Sequence, residues 1–133
     1  MKNERRIALS LLLLRVGVFI VMFMWTLDKF VNPQHAAAVY EKFYLIKGVG
    51  SAVMSVIGAV ELIVIIGFLI GFQKKWTYGA VLVLHAVSTL SSYPQYLSPF
   101  QNLLFFAAWP MLAACFVLFY LRDLDRMWVV HGT

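Results

Sequence analysis

Cysteine occurs once in these 133 residues, proline four times, and charged side chains make up only 13% of the chain. Each scarcity excludes something. With Cys115 alone, no intrachain disulfide can close and no thiolate cage for a metal can be built from one chain. It reads as a small apolar residue buried in the last hydrophobic run. Scarce charge is the stronger signal, because soluble domains average about 25% charged and about 45–50% apolar residues. Here 62% are apolar. The stretches Val49–Phe72, Val81–Leu90 and Leu103–Leu121 contain Glu61 and His85 but no lysine or arginine. One crossing of a bilayer core takes about 20 helical residues, so four would use about 80. A water-soluble enzyme, a second domain and a disordered chain are all excluded.

The net charge of +5 does not point to nucleic acid, since no basic residues interleave with aromatics along a polar face. Lysine and arginine stand mostly at the ends of the apolar runs. The start MKNERRIALSLLLL resembles a secretion signal, yet Arg15 interrupts the apolar run. Bulky Met24, Trp25 and Leu27 also occupy the place of a small-residue cleavage site. The segment therefore reads as a retained first span. One side of the membrane collects Lys2, Arg5, Arg6, Lys74, Lys75, Arg122 and Arg126, and the other collects Lys29, Lys42 and Lys47. The positive-inside bias puts both termini in the cytoplasm of a multi-pass protein of the cytoplasmic (inner) membrane.

The spans fall at about 7–27, 49–72, 76–92 and 100–121. Gln73-Lys74-Lys75 forces an antiparallel hairpin, and the loop from Tyr93 to Pro99 carries two prolines that stop helix there. Short loops between antiparallel neighbours predict an all-α, integral membrane four-helix bundle forming one domain over 1–133. In the longer connection Asp28–Gly48, Asn32-Pro33 can start a helix, and Ala36 to Tyr44 favours one. Its aromatics suit the headgroup layer, which predicts a short interfacial helix between spans 1 and 2. Ser51, Ser55 and Ala59, then Gly67 and Gly71, recur at four-residue spacing and predict close helix packing. Trp109-Pro110 predicts a kink in span 4.

Three ionisable groups lie inside the spans. At about 1.5 Å of rise per residue, Arg15 stands about 12 Å from the cytoplasmic end of its span, Glu61 about 16 Å and His85 about 14 Å. Buried charge requires a partner. Arg15 and Glu61 are the opposite charges at that depth, so an ion pair between them is expected, with His85 joining through a hydrogen bond or a water. Two readings stay open for this cluster: a lock on helix register, or a polar site for a quinone headgroup, a proton or a small ligand. Lys29, Thr26 and Met22 lie near the face of Arg15. Ser88, Thr89 and Ser92 follow His85, and Asn102 opens span 4 on the same side. These residues outline a polar path from the outer surface, unless their hydroxyls bond their own backbone. No metal site is expected, because one histidine and one carboxylate do not make a zinc or iron centre. No Ser-His-acid set, phosphate loop or catalytic carboxylate pair is present.

The runs LLLLRVGVFIVMFMWTLDKFVNP, GAVELIVIIGFLIGF and QKKWTYGAVLVLHAVSTL resemble the DoxX-like membrane proteins over residues 10–122. That family has four spans, with an arginine early in span 1, a lysine just past its end and a glutamate in span 2, matching Arg15, Lys29 and Glu61. The resemblance implies a small, non-catalytic subunit or accessory factor of a membrane redox system, with other membrane subunits or further copies as partners. The spans hold no redox-cofactor motif, so no intrinsic cofactor is expected, and quinone or lipid is the candidate ligand near Arg15, Glu61 and His85. A small transporter or channel-like protein, and a purely structural membrane oligomer, are the alternatives from other classes.

Overall fold

A computed structural model describes residues 2–44 and 50–130, which fold into helices with no strand among the described residues. The long helices are α1 (Lys2–Val31), α2 (Pro33–Tyr44), α3 (Ser51–Ile70) and α4 (Lys74–Ser91). A single turn, α5 (Tyr93–Tyr96), and 3-10 turns at Pro99–Gln101 and Leu103–Ala107 lead into α6 (Ala108–Tyr120). Lys47, Val49 and His131 lie outside the described residues, as do the side chains of Tyr40, Phe43, Tyr44 and Ser51.

Among the described residues, three helical stretches are long and apolar enough to cross a membrane: Lys2–Val31, Ala52–Ile70 and Leu103–Tyr120. Helix α4 has comparable length, but Lys74, Lys75, His85, Ser88, Thr89 and Ser91 dilute its apolar residues. Large apolar side chains cover the outside. Ile63 is 73% exposed and Leu104 89%, an arrangement suited to lipid rather than water.

Helix α1 packs against α3 and α6, and α4 packs against the same two, so these four helices enclose one core. Leu11, Val18, Met22, Ile65, Phe68, Tyr78, Val81, Cys115 and Leu118 form it. The buried face of α1 runs Leu11, Arg15, Val18, Met22, Thr26 and Lys29, the three-to-four residue spacing of one helical stripe. Helix α2 folds back against α1, α3 and α4 at the opposite end from the chain termini.

One packing expectation holds only in part. In the small-residue row on α3, Gly67 and Gly71 are buried, but Ser55 and Ala59 are exposed, and Met54 and Gly58 are buried instead. Gly58 lies against the Phe30 ring, 2.9 Å from where a Cβ would stand. The relevant small position was one residue row away because α3 turns its bulkier stripe, Met54, Ile65 and Phe68, inward. Pro110 falls where the 3-10 segment gives way to α-helix. It lies in the first turn of α6, just after the 3-10 segment, where its missing N–H costs nothing.

The α3–α4 connection is tight. Gly71 adopts φ +71, and the N–H groups of Gly71 and Phe72 bond the carbonyls of Phe68 and Gly67 at 3.2 and 2.8 Å. This is the helix-ending arrangement in which a left-handed glycine satisfies the last carbonyls. Gly67 in turn lets Thr77 of α4 approach, at 2.9 Å from a would-be Cβ.

Candidate functional site

After α6, Leu121 to Val130 folds back across the ends of the helices at which the chain begins. Turns at Leu121–Leu124 and Arg122–Asp125 reverse the chain, and the Val130 N–H bonds the Ile70 carbonyl at 2.9 Å. Val129 lies against Gly71, with a methyl 2.6 Å from where a Cβ would be. This fold-back carries Asp125 inside, where it is completely buried.

Asp125 is the partner of Arg15. The Arg15 Nη1 donates to Asp125 Oδ1 at 2.5 Å, with side chains 1% and 0% exposed. Tyr78 Oη donates to the other carboxylate oxygen at 2.5 Å, and itself lies 3.4 Å from Arg15 Nη1. Arg15 Nη2 donates to the backbone carbonyls of Met127 at 2.7 Å and Trp128 at 3.3 Å. Lys74 Nζ donates to the carbonyls of Arg122, at 3.1 Å, and Asp125. Burial pushes the Lys74 amine below its ordinary pKa, with Asp125 opposing and Arg15 reinforcing the shift. One guanidinium, one carboxylate and one phenol thus tie α1, α4 and the C-terminal segment together. Both Nη groups of Arg15 are filled and its Nε is buried without a partner; a buried charge that keeps its counter-charge is the form in which such groups persist inside a protein.

The expected Arg15–Glu61 pair is therefore not formed. Glu61 is held at the other end of the helices by Lys29, whose Nζ is 3.1 Å from Glu61 Oε2, and by Thr26, whose Oγ1 donates to the same oxygen at 3.3 Å. This second pair is less buried, at 9% and 15% exposure. Nearby, His35 Nδ1 and Asp28 Oδ2 stand 2.7 Å apart on the surface. Depth along the helix axis suggested one cluster. Long side chains decide otherwise, because arginine and lysine extend their heads well away from their own Cα level.

His85 joins neither pair. Its Nε2 donates to the Ala108 carbonyl at 3.0 Å, and its ring stacks on Trp25 with centroids 6.0 Å apart. A carbonyl only accepts, so Nε2 carries the proton and Nδ1 is left with a lone pair. That lone pair is buried and has no hydrogen-bond partner. The polar path around it is largely closed on itself. Thr89 Oγ1 donates to the His85 carbonyl at 2.8 Å, and Ser92 Oγ to that of Ser88 at 3.0 Å. Asn102 Nδ2 donates to the Ser98 carbonyl at 3.0 Å. Further along this edge, Tyr96 packs its ring on Phe106 and Trp109 and buries a hydroxyl that also lacks a partner.

No family model, curated protein or solved structure matches this chain. Among the described residues, no three His, Cys, Asp or Glu side chains gather as a metal site would need. The residue that sequence reasoning missed is Asp125. A signal for it existed: Arg15 can extend toward the end at which the chain begins, and Asp123 and Asp125 are the carboxylates just beyond the last apolar run.

Proposed function

We propose that the chain is a four-helix bundle of the cytoplasmic membrane, with α1, α3, α4 and the segment through α6 as spans and both termini inside. Its role is that of a DoxX-like, non-catalytic subunit or accessory protein of a quinone-linked redox system, and α2 lies as an interfacial cap on the outer face. Along the sequence, seven basic residues flank the spans on the side assigned to the cytoplasm, against three on the other, which supports this orientation.

The observation that carries the ligand reading is the vacant Nδ1 of His85. A buried acceptor without a donor costs free energy, and a bound hydroxyl removes that cost. A hydroquinone headgroup brings an O–H for Nδ1 and a flat ring suited to the aromatic wall of Trp25. Arg15 and Glu61, each neutralised by a neighbour, have structural roles in this reading, and the ligand belongs to His85 instead. The chain's own part is to bind and orient the headgroup. Electron transfer belongs to a partner protein.

Purification in mild detergent tests both halves. His85→Phe removes the lone pair while keeping a ring on Trp25, and co-extracted quinone is expected to fall about 2- to 10-fold, the worth of one hydrogen bond. Equal quinone content in the two proteins removes His85 from the site. Co-purifying oxidoreductase or cytochrome subunits are expected by mass spectrometry. A lone homo-oligomer overturns the subunit reading.

A further inference from the structure

Trp128 holds a backbone conformation that tryptophan rarely adopts, at φ +56, and its side chain is 82% exposed. The left-handed region costs an ordinary residue about 1–2 kcal/mol. Nothing inside the protein is gained by the ring, because it packs against little. The strain is held in place from below, by Arg15 on the Trp128 carbonyl, Val129 on Gly71, and the Val130 N–H on Ile70. A locked base presenting an exposed aromatic is the arrangement of an anchor.

The surroundings say what it anchors to. Ile70 and Gly71 place Trp128 beside the α3–α4 turn, where Trp76 is 69% exposed and Lys75 Nζ stands 5.5 Å from its ring centroid. Arg126 is exposed two residues before Trp128, and Arg122 lies over the Phe119 ring at 4.4 Å. This end of the molecule carries Lys2, Arg5, Arg6, Lys74, Lys75, Arg122 and Arg126. The carboxylates here outside the Arg15 pair are Glu4 and Asp123. Indole rings prefer the headgroup layer, and basic side chains beside them attract anionic lipid.

We propose that the rim formed by Trp128, Trp76, Lys75 and Arg126 binds the phosphate headgroup of an anionic phospholipid, and that the fold-back of residues 121–130 exists to present it. This goes beyond the quinone reading and rests only on its membrane placement. The Arg15–Asp125 pair is then the clasp that holds the lipid-binding segment in position.

The test is the unfolding midpoint of the full chain in neutral detergent, titrated with phosphatidylglycerol, phosphatidylcholine or inorganic phosphate. Phosphatidylglycerol is expected to raise the midpoint, and the other two to leave it unchanged. Lys75→Gln and Arg126→Gln should each weaken phosphatidylglycerol about five-fold, the equivalent of about 1 kcal/mol per basic residue at a membrane surface. Trp128→Gly is the decisive variant, since glycine relieves the positive φ. It should hold or raise the lipid-free midpoint, because the strain is relieved, and lose most of the lipid-dependent rise. A lowered lipid-free midpoint with the rise intact makes Trp128 a packing residue and overturns the proposal. So does protection by inorganic phosphate equal to that by the lipid. A chain that stays soluble without detergent fails the membrane placement itself, an outcome distinct from a detergent-bound chain indifferent to lipid charge.

Discussion

Asp125→Asn is the most informative single change, because it removes one charge and almost no volume from the closed end of the bundle. The wild-type carboxylate accepts from Arg15 Nη1 and Tyr78 Oη, both at 2.5 Å, and is wholly buried. With asparagine there, the Arg15 guanidinium remains 1% exposed with no counter-charge beside it. Breaking a buried pair by removing one partner costs about 3–5 kcal/mol. A chain of 133 residues unfolds with an entropy of roughly 0.28 kcal/mol per kelvin on soluble-domain scaling, so even the lower figure lowers Tm by about 10 °C. The assay is thermal unfolding in detergent, read alongside tryptic cleavage after Arg122 and Arg126, which should accelerate as the segment lifts. A double-mutant cycle with Arg15→Gln separates this from general damage. The pair should show a coupling energy above about 1 kcal/mol, whereas Arg15→Gln with Glu61→Gln should add within about 0.5 kcal/mol. A wild-type Tm for Asp125→Asn, or coupling between Arg15 and Glu61 instead, would falsify the assignment of partners.

Two further outcomes follow from the same geometry. Lys29→Met should cost less than Asp125→Asn, about 1–2 kcal/mol in the same melt, because the Lys29–Glu61 pair is partly exposed and Thr26 still donates to the carboxylate. Gly71→Ala should cost about 2 kcal/mol or more, since it forces a left-handed φ on alanine and drives a Cβ into Val129. Gly17→Ala, where a Cβ meets nothing within 4 Å, is the control and should lose no stability.

The helical elements were readable because bilayer-length apolar runs and proline or glycine breaks are local signals. The expected spans at 7–27, 49–72, 76–92 and 100–121 overlap α1, α3, α4 and the segment through α6. The buried stripe of α1, with Thr26 and Lys29 below Arg15, was equally legible, since helical spacing alone sets it. The partners of that stripe were not. Equal depth along the axis grouped Arg15, Glu61 and His85, but depth ignores where a long side chain carries its charge. Asp125 lies beyond the last apolar run, and no depth along a span places it. Only a reversal of the chain after Leu121 carries it inside.

By itself the sequence determined that this is an apolar, helical chain with Arg15, Glu61 and His85 inside its apolar runs, because composition and periodicity are properties of neighbours along the chain. The tertiary structure alone decided which charge meets which. It joined Arg15 to Asp125, 110 residues away, sent Glu61 to Lys29, and left His85 with an unused lone pair. Pairing inside a low-dielectric core is settled by side-chain reach and by which segment covers which helix end. Neither is written in local sequence.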